Sequence, residues 1–430
     1  MKLGIIEKRT FWLLMLASFF IGFVFGTFNI HDVVAKKALL ALDWQITILV
    51  MLWPLSNLFS IWWGKALERS KTISKFFVLT AFVGRLVLLL MLWTYNYYSY
   101  LIIMIFVFSF NSLISPAQNS IYRNNISVDN RGTLFGYTVS LVTLVAIIFS
   151  YSAGKLMDIN EDWFRYIFSV AGLMGCISAL LMAMIKIENK KFYSSKLKLK
   201  EIFLTPVLSS FSILKKNRDF AIFQRNFFIY GIGFMIILPA IPKFLVEYLK
   251  MDYSQTFMAK GVISQLGILF LAPIAGKIHD KKNPAFFASL AFLTLGFFPF
   301  ILLISSYFVD TGIANYIVYF SYLIFGVGMS GIVISWNMSS ICFAGEDDVS
   351  MYQSVHVTLT GLRALIVPFI GYLILRYFGI KIVFIVSLSM FWLAAALSYQ
   401  NYLRMCKIES KYKAKFDKIV KYLRRIPPRG

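Results

Sequence analysis

Three arginines interrupt long apolar runs: Arg85, Arg225 and Arg363. A guanidinium at the centre of a bilayer costs about 2.5–3.5 kcal/mol on insertion scales, so each needs a compensating group. No Asp or Glu lies near the middle of these runs. Asp32, Glu247 and Asp310 fall at one end of them, and Glu68, Asp280 and Glu346 at the other. A buried guanidinium without a carboxylate suits a solute that brings its own negative charge, because its planar fork holds a carboxylate or phosphate through two parallel hydrogen bonds. A plainer account stays open for two of them. Arg85 can hydrogen-bond backbone carbonyls, and Arg225, about two turns inside its run, can snorkel to the surface. His356 stands two helical turns before Arg363, so both can face one side, and it is the leading titratable group for proton coupling near neutral pH. A packed, neutral histidine is the alternative. The sequence holds no nucleophile–base set, no phosphate-cradling glycine loop and no metal-ligand spacing. It is therefore read as no enzyme, with no cofactor, no metal and no ATP-driven step.

The elements that must carry these groups are apolar. Of 430 residues, 59% are hydrophobic and 15% charged, and the mean hydropathy is +0.72. A soluble protein of this size carries roughly 25% charge, so most of this chain faces lipid or other apolar helices. A span needs about 20 apolar residues. Twelve runs qualify: Phe11–Phe28, Gln45–Trp63, Phe76–Trp93, Tyr100–Ser115, Phe135–Gly154 and Phe164–Ile185, then Phe220–Phe244, Phe257–Ala275, Ala285–Phe308, Ile313–Trp336, Val355–Leu375 and Val383–Gln400. The first run follows Lys8 and Arg9 but is too long for a signal peptide and lacks a small-residue cleavage site, so it is read as a retained span.

The net charge of +23 is concentrated in short loops, a mid-chain linker and the C-terminal tail. Bases flanking apolar runs mark cytoplasmic loops and attract anionic lipid headgroups. This pattern places both termini inside a bacterial-type inner or plasma membrane and argues against nucleic acid as a partner. One loop, Glu346-Asp347-Asp348, runs against the charge rule. Residues 187–218 read as a basic interfacial linker between two six-helix halves, 1–186 and 219–403. Residues 404–430 read as a basic amphipathic tail, with Ile408, Tyr412, Phe416, Ile419 and Leu423 at helical spacing. Cys176, Cys342 and Cys406 are odd in number and widely spaced, which fits neither disulfides nor a metal site.

One loop occurs twice. Gly64-Lys-Ala-Leu-Glu68-Arg69 lies between the second and third runs, and Gly276-Lys-Ile-His-Asp280-Lys281 between the eighth and ninth. A fainter echo aligns Phe135–Gly154 with Tyr352–Gly371. A repeat half a chain long fixes the architecture as a duplicated membrane unit.

With twelve spans in a six-plus-six order and this loop in each half, the chain resembles the major facilitator superfamily of transporters. That family's loop has a Gly, three residues, an acid and a base, then a second Gly. Lys71 and Asn283 stand here where the second Gly is usual. The resemblance implies an all-α membrane protein with twelve transmembrane helices in two pseudo-symmetric six-helix bundles, rocking about a central site. It implies that Gly64, Glu68, Arg69, Gly276, Asp280 and Lys281 act as inner gating latches. It also implies that span eleven borders the cavity, which favours Arg363, and that spans four, seven, eight and ten contribute Asn111, Ser115, Asn226, Tyr230, Gln265 and Asn337 as cargo-lining groups. His356 is the coupling candidate. Two departures count against a proton-driven drug exporter: Tyr151-Ser152-Ala153-Gly154 replaces that group's Gly-Pro motif in span five, and Pro368 occupies the matching place in span eleven. The expected function is secondary transport of a small organic anion by a monomer in contact with anionic lipids. An exporter of hydrophobic compounds or lipid, and a non-transporting sensor on the same scaffold, are the alternatives.

Overall fold

A computed structural model describes residues 4–59, 63, 66–67, 70, 72–187, 211–344 and 349–423. Among them there is no strand, and eleven helices are long and apolar enough to cross a membrane. The second run is described as a helix over Asp43–Ser56 with a 3-10 turn over Asn57–Phe59, and residues 60–62 lie outside the described part. It occupies the place of the second span.

The first span, Ile5–Phe28, is followed by a short helix, His31–Lys37. Spans three to six are Ser74–Trp93, Tyr97–Asn125, Val128–Ile159 and Trp163–Ala183. Spans seven to ten are Arg218–Tyr248, Tyr253–Lys281, Pro284–Ser305 and Ile313–Ala344. Span eleven is broken into Val349–Ala364 and Val367–Phe378. Pro368 lacks the N–H that would bond back into the preceding turn, which accounts for the break just after Arg363. The last helix, Ile380–Leu423, runs unbroken for 44 residues. At 1.5 Å per residue it is about 66 Å long, twice the hydrocarbon thickness. The tail expected to begin at residue 404 is thus continuous with the twelfth span.

Packing repeats across the halves. Span one packs on five and six, as seven packs on eleven and twelve. Three packs on six as nine packs on twelve, and two on four as eight on ten. The halves meet where span two crosses eleven and where five crosses eight. The chain therefore folds as two related six-helix bundles. The face bearing the start of span one and the end of span twelve is called the terminal face below, and the opposite one the distal face.

The apolar core divides into four main clusters, and the division is uneven. On the distal side, the first half's core, built on Phe28, Leu49, Tyr100 and Phe168, takes in Tyr253 and Phe257 of span eight from the other half. On the terminal side each half keeps its own core: Leu14, Phe77, Leu113 and Met182 in one, Phe220, Phe227, Phe292 and Tyr352 in the other.

Three spans contain a π-helical turn: Thr80–Arg85, Phe244–Tyr248 and Met258–Ile263. Such a turn inserts one residue and re-aims the side chains that follow. Each carries a charged group: Arg85, Glu247 and Lys260.

Candidate functional site

Arg363 is 5% exposed and lies against span seven. One terminal nitrogen donates to the Phe227 carbonyl at 2.7 Å, and the other reaches Thr360 Oγ1 at 3.3 Å. Its buried Nε has no partner. The guanidinium lies over the backbone of Gly231, one turn beyond Phe227, where a Cβ would collide with it. A residue without a side chain is what lets Arg363 sit there. No carboxylate pairs with Arg363 among the described residues.

His356 is buried, with 2% exposure. Its Nδ1 is 2.9 Å from Gln224 Oε1, and its Nε2 has no partner. The rings of Phe227 and Trp336 meet it edge-on, with centroids at 4.6 and 4.3 Å. It is a packed ring between spans seven, ten and eleven.

Arg85 is fully buried and donates from Nη2 to Asn111 Oδ1 at 2.7 Å. Its Nε and Nη1 have no partner, and the Phe28 ring lies 5.7 Å away. The backbone carbonyls considered from the sequence are not its partners. Asn111 compensates it instead, so that amide is engaged within the first half. Arg225 is exposed, and its Nε and Nη2 donate to Asn226 Oδ1 at 3.2 and 3.1 Å. Tyr230 stacks on Phe292 at 4.7 Å, inside the second bundle. Gln265 is half-buried and bonds its neighbour Ser264 at 3.3 Å.

The backbones of Ser115, Asn337 and Asp280 are described, but their side chains are not. Gly64, Glu68 and Arg69 lie outside the described residues. Lys281 is exposed at the end of its helix. Gly276 lies within that helix, and a Cβ there would meet only Ile334 at 3.9 Å, an ordinary contact. At this glycine the chain neither turns nor meets a neighbouring helix closely.

Sequence reasoning missed the densest charged region, which lies in the seam at the distal face. Asp32, at the start of the short helix after span one, pairs through both carboxylate oxygens with Lys260 of span eight. Asp32 was expected at a span end; it is 6% exposed, held inside the seam. Lys36 pairs with Asp43 at 2.8 Å and with Glu247 at 2.5 Å, and Lys243 pairs with Asp43 at 2.5 Å. Lys37 donates to the Met251 carbonyl at 3.2 Å and lies 4.2 Å over the Tyr253 ring. Asp158, ending span five, accepts the backbone N–H groups of Tyr253 and Ser254 at 2.8 and 3.1 Å. A carboxylate there satisfies otherwise unpaired amides and meets the positive end of the helix dipole. Close by, Gly154 and Gly261 let spans five and eight approach: Cβ atoms there would meet Ser254 Cα at 2.9 Å and Ser150 Cβ at 2.5 Å. The signal in the sequence was a lysine, Lys260, inside the apolar run that begins at Phe257. Among the described residues, every ion pair joining the two halves is at this face.

Two related six-helix bundles meeting along a charged seam define a multi-pass membrane protein of the transporter type. The chain matches the Major Facilitator Superfamily over residues 10–362 and belongs to that family. No curated protein matches it. Solved structures share the fold at low identity. A POT family transporter in complex with 5-aminolevulinic acid is 14% identical with a TM-score of 0.75, covering 92% of this chain and 96% of its own. The nucleoside transporter NupG is 12% identical with a TM-score of 0.71, covering 92% and 100%. A D-xylose–proton symporter is 12% identical with a TM-score of 0.66, covering 91% and 97%. Family and fold together point to a non-enzymatic membrane transporter.

Proposed function

We propose that this protein is a secondary transporter that carries a small organic anion by alternating access. The two bundles rock about the seam, and the arrangement described here is the one closed at the distal face. The terminal face is cytoplasmic, in keeping with the bases of the N-terminus, the inter-half segment and the tail, and the membrane is an inner or plasma membrane. Most of that inter-half segment, residues 188–210, lies outside the described part. The protein works as a monomer, with anionic lipid around its basic face.

The observation that carries the choice of cargo is Arg363: a guanidinium inside a span, buried, paired with no acid and left with an unpartnered Nε. A carboxylate or phosphate on the cargo would supply the missing acceptor. Asn226, beside Arg225 on the same span, is the second polar group placed to contribute, since its buried Nδ2 lacks a partner.

A thermal-shift screen on purified full-length protein tests this. The probes are inorganic phosphate, phosphorylated sugars, and mono- and dicarboxylates, with neutral sugars and hydrophobic drugs as controls. A ligand binding the folded state at 100 times its Kd stabilises it by about 2.7 kcal/mol. The expected result is stabilisation by at least one anion, lost in Arg363→Gln and partly kept in Arg363→Lys. An anion response that survives in Arg363→Gln, or stabilisation by the controls alone, overturns the reading.

A further inference from the structure

The distal face carries an open groove of about 560 Å³, built wholly from the second half. Small-ligand sites occupy about 300–1,000 Å³. Gln255, on the first turn of span eight, forms one wall. Thr311, Gly312, Asn315, Tyr316 and Tyr319, from the loop before span ten and its first turns, form the rest. Farther along these spans, Gly267 and Gly326 bring the two backbones together: a Cβ on Gly267 would lie 2.3 Å from the Gly326 carbonyl carbon. Contact that close fixes the two walls relative to each other, so rocking of the halves moves the groove as one unit.

The lining is neutral, and its polar groups are amides and hydroxyls. Gln255 Oε1 accepts the Asp252 N–H at 3.1 Å, which steadies the amide and leaves its NH₂ to donate. Thr311 Oγ1 donates to the Phe308 carbonyl at 2.8 Å and keeps its lone pairs as acceptors. Among the described residues, the Asn315 amide and the Tyr316 and Tyr319 hydroxyls make no hydrogen bond. The two tyrosine rings meet edge to face, with centroids 6.4 Å apart. Acids stand at the margin and not in the lining: Asp252 is within electrostatic reach of Tyr319, and Asp310 precedes Thr311. Their field disfavours an anion. A cation would find no carboxylate in the lining and would leave the amides and hydroxyls unused.

We propose that this groove is a saccharide-binding site on the distal surface. The Asn315 amide both donates and accepts, so it can bridge neighbouring hydroxyls of one sugar ring. Gln255 adds a donor and Thr311 an acceptor on the opposite walls. A tyrosine ring offers an apolar face to the sugar C–H groups and a hydroxyl to its rim. None of these contacts needs a charge on the ligand. Two sources present this chemistry: a free mono- or disaccharide, and the sugar headgroup of a glycolipid. The second has room for its acyl chains, because Ile313 and Tyr316 continue into Phe320 and Leu323, exposed at helical spacing along span ten. The site depends neither on the identity of the cargo nor on Arg363.

The test uses the full-length protein in phosphatidylglycerol–phosphatidylethanolamine nanodiscs, purified in a detergent without a sugar headgroup. Saturation-transfer-difference NMR is recorded with maltose, sucrose, cellobiose and N-acetylglucosamine, and with choline and citrate as charged probes. In parallel, native mass spectrometry reads retention of a glucosyl diacylglycerol added to the discs. The expected result is binding of at least one free saccharide, or of the glycolipid; which of the two binds identifies the source. Nothing lies within 4 Å of a Cβ at Gly312, so Gly312→Trp fills the groove without entering the core, and it should abolish binding. Asn315→Ala should weaken binding at least about tenfold, and Arg363→Gln should leave it unchanged. No binding by either source overturns the proposal. So does saccharide binding that survives Gly312→Trp or is lost in Arg363→Gln, since either places the sugar elsewhere. Binding of choline or citrate alone, lost in Gly312→Trp, overturns the choice of ligand. If Gly312→Trp does not fold, Asn315→Ala and Tyr316→Ala decide: full binding in both overturns the site. The anion screen is read through Arg363 and this test through Gly312, so each can fail while the other stands.

Discussion

The distal and terminal faces solve the same packing problem in opposite ways. At the distal face the halves share an apolar core through Tyr253 and Phe257, and cross-half ion pairs join Asp32, Lys36 and Asp43 to Lys260, Glu247 and Lys243. At the terminal face the hydrogen bonds and ion pairs among the described residues stay within a half. Glu7 accepts the Ser127 N–H at 2.7 Å inside the first bundle, and Arg404 pairs with Asp219 inside the second. Among the described residues, polar contacts join the two bundles at one end only. Charges that bridge bodies are positioned to govern a rocking motion, while charges within a body stabilise that body in every state.

The sharpest way to break this contrast is to leave one distal charge alone. Lys260→Met strands Asp32 in a buried site, and removing one partner of such a pair costs about 3–5 kcal/mol. The thermal midpoint of the purified protein should fall steeply, and Asp32→Asn/Lys260→Met should recover most of the loss. That recovery is the coupling a double-mutant cycle measures. A double variant as unstable as the sum of the singles would mean that the two groups do not stabilise each other. Next in size is Gly231→Ala. The added methyl displaces the Arg363 guanidinium from the Phe227 carbonyl, and overpacking of this kind costs about 1–3 kcal/mol. Unlike the lysine change, it should leave the distal ion pairs unaltered, because its contacts lie inside one bundle.

Much of this molecule could be read from the chain, and what escaped has a physical cause. Span positions were legible because the apolar length needed to cross a bilayer is a local property. The arginines stood out for the same reason: a charge inside an apolar run is visible without knowing its neighbours. Arg363 and His356 share a face as their spacing implies, and both reach span seven. The Asp32–Lys260 pair was invisible, since its members are 228 residues apart and meet only once the halves have packed. In the sequence Asp32 reads as a span-end residue, because burial across a seam leaves no mark on its own segment. The π turns also leave no pattern, yet they aim Arg85, Glu247 and Lys260. Glycine misled in one direction. Gly276, in a repeated motif, faces no close neighbour, whereas Gly231, in no motif, lies under a guanidinium.

The comparison sharpens further at two smaller contacts. Asp158→Ala removes the acceptor for the first two amides of span eight and leaves the Asp252 N-cap in place, a loss of about 0.5–2 kcal/mol. With that acceptor from across the seam gone, hydrogen exchange at the Tyr253 and Ser254 amides should quicken in the full-length protein. Protection unchanged in the variant would show that the carboxylate does not hold those amides. Arg404→Gln is the terminal-side counterpart and should do least. Arg404 and Asp219 are 29% and 42% exposed, and pairs so open to water contribute about 0.2–1 kcal/mol. Both groups belong to the second bundle, so breaking the pair should lower the thermal midpoint slightly and leave hydrogen exchange at the Tyr253 and Ser254 amides as it was. Quickened exchange at those amides in this variant would mean that the twelfth helix, which runs on to Leu423, passes strain from the terminal face to the seam. The two faces would then be coupled through one bundle, and the division between bridging and internal charges would no longer separate gating groups from structural ones.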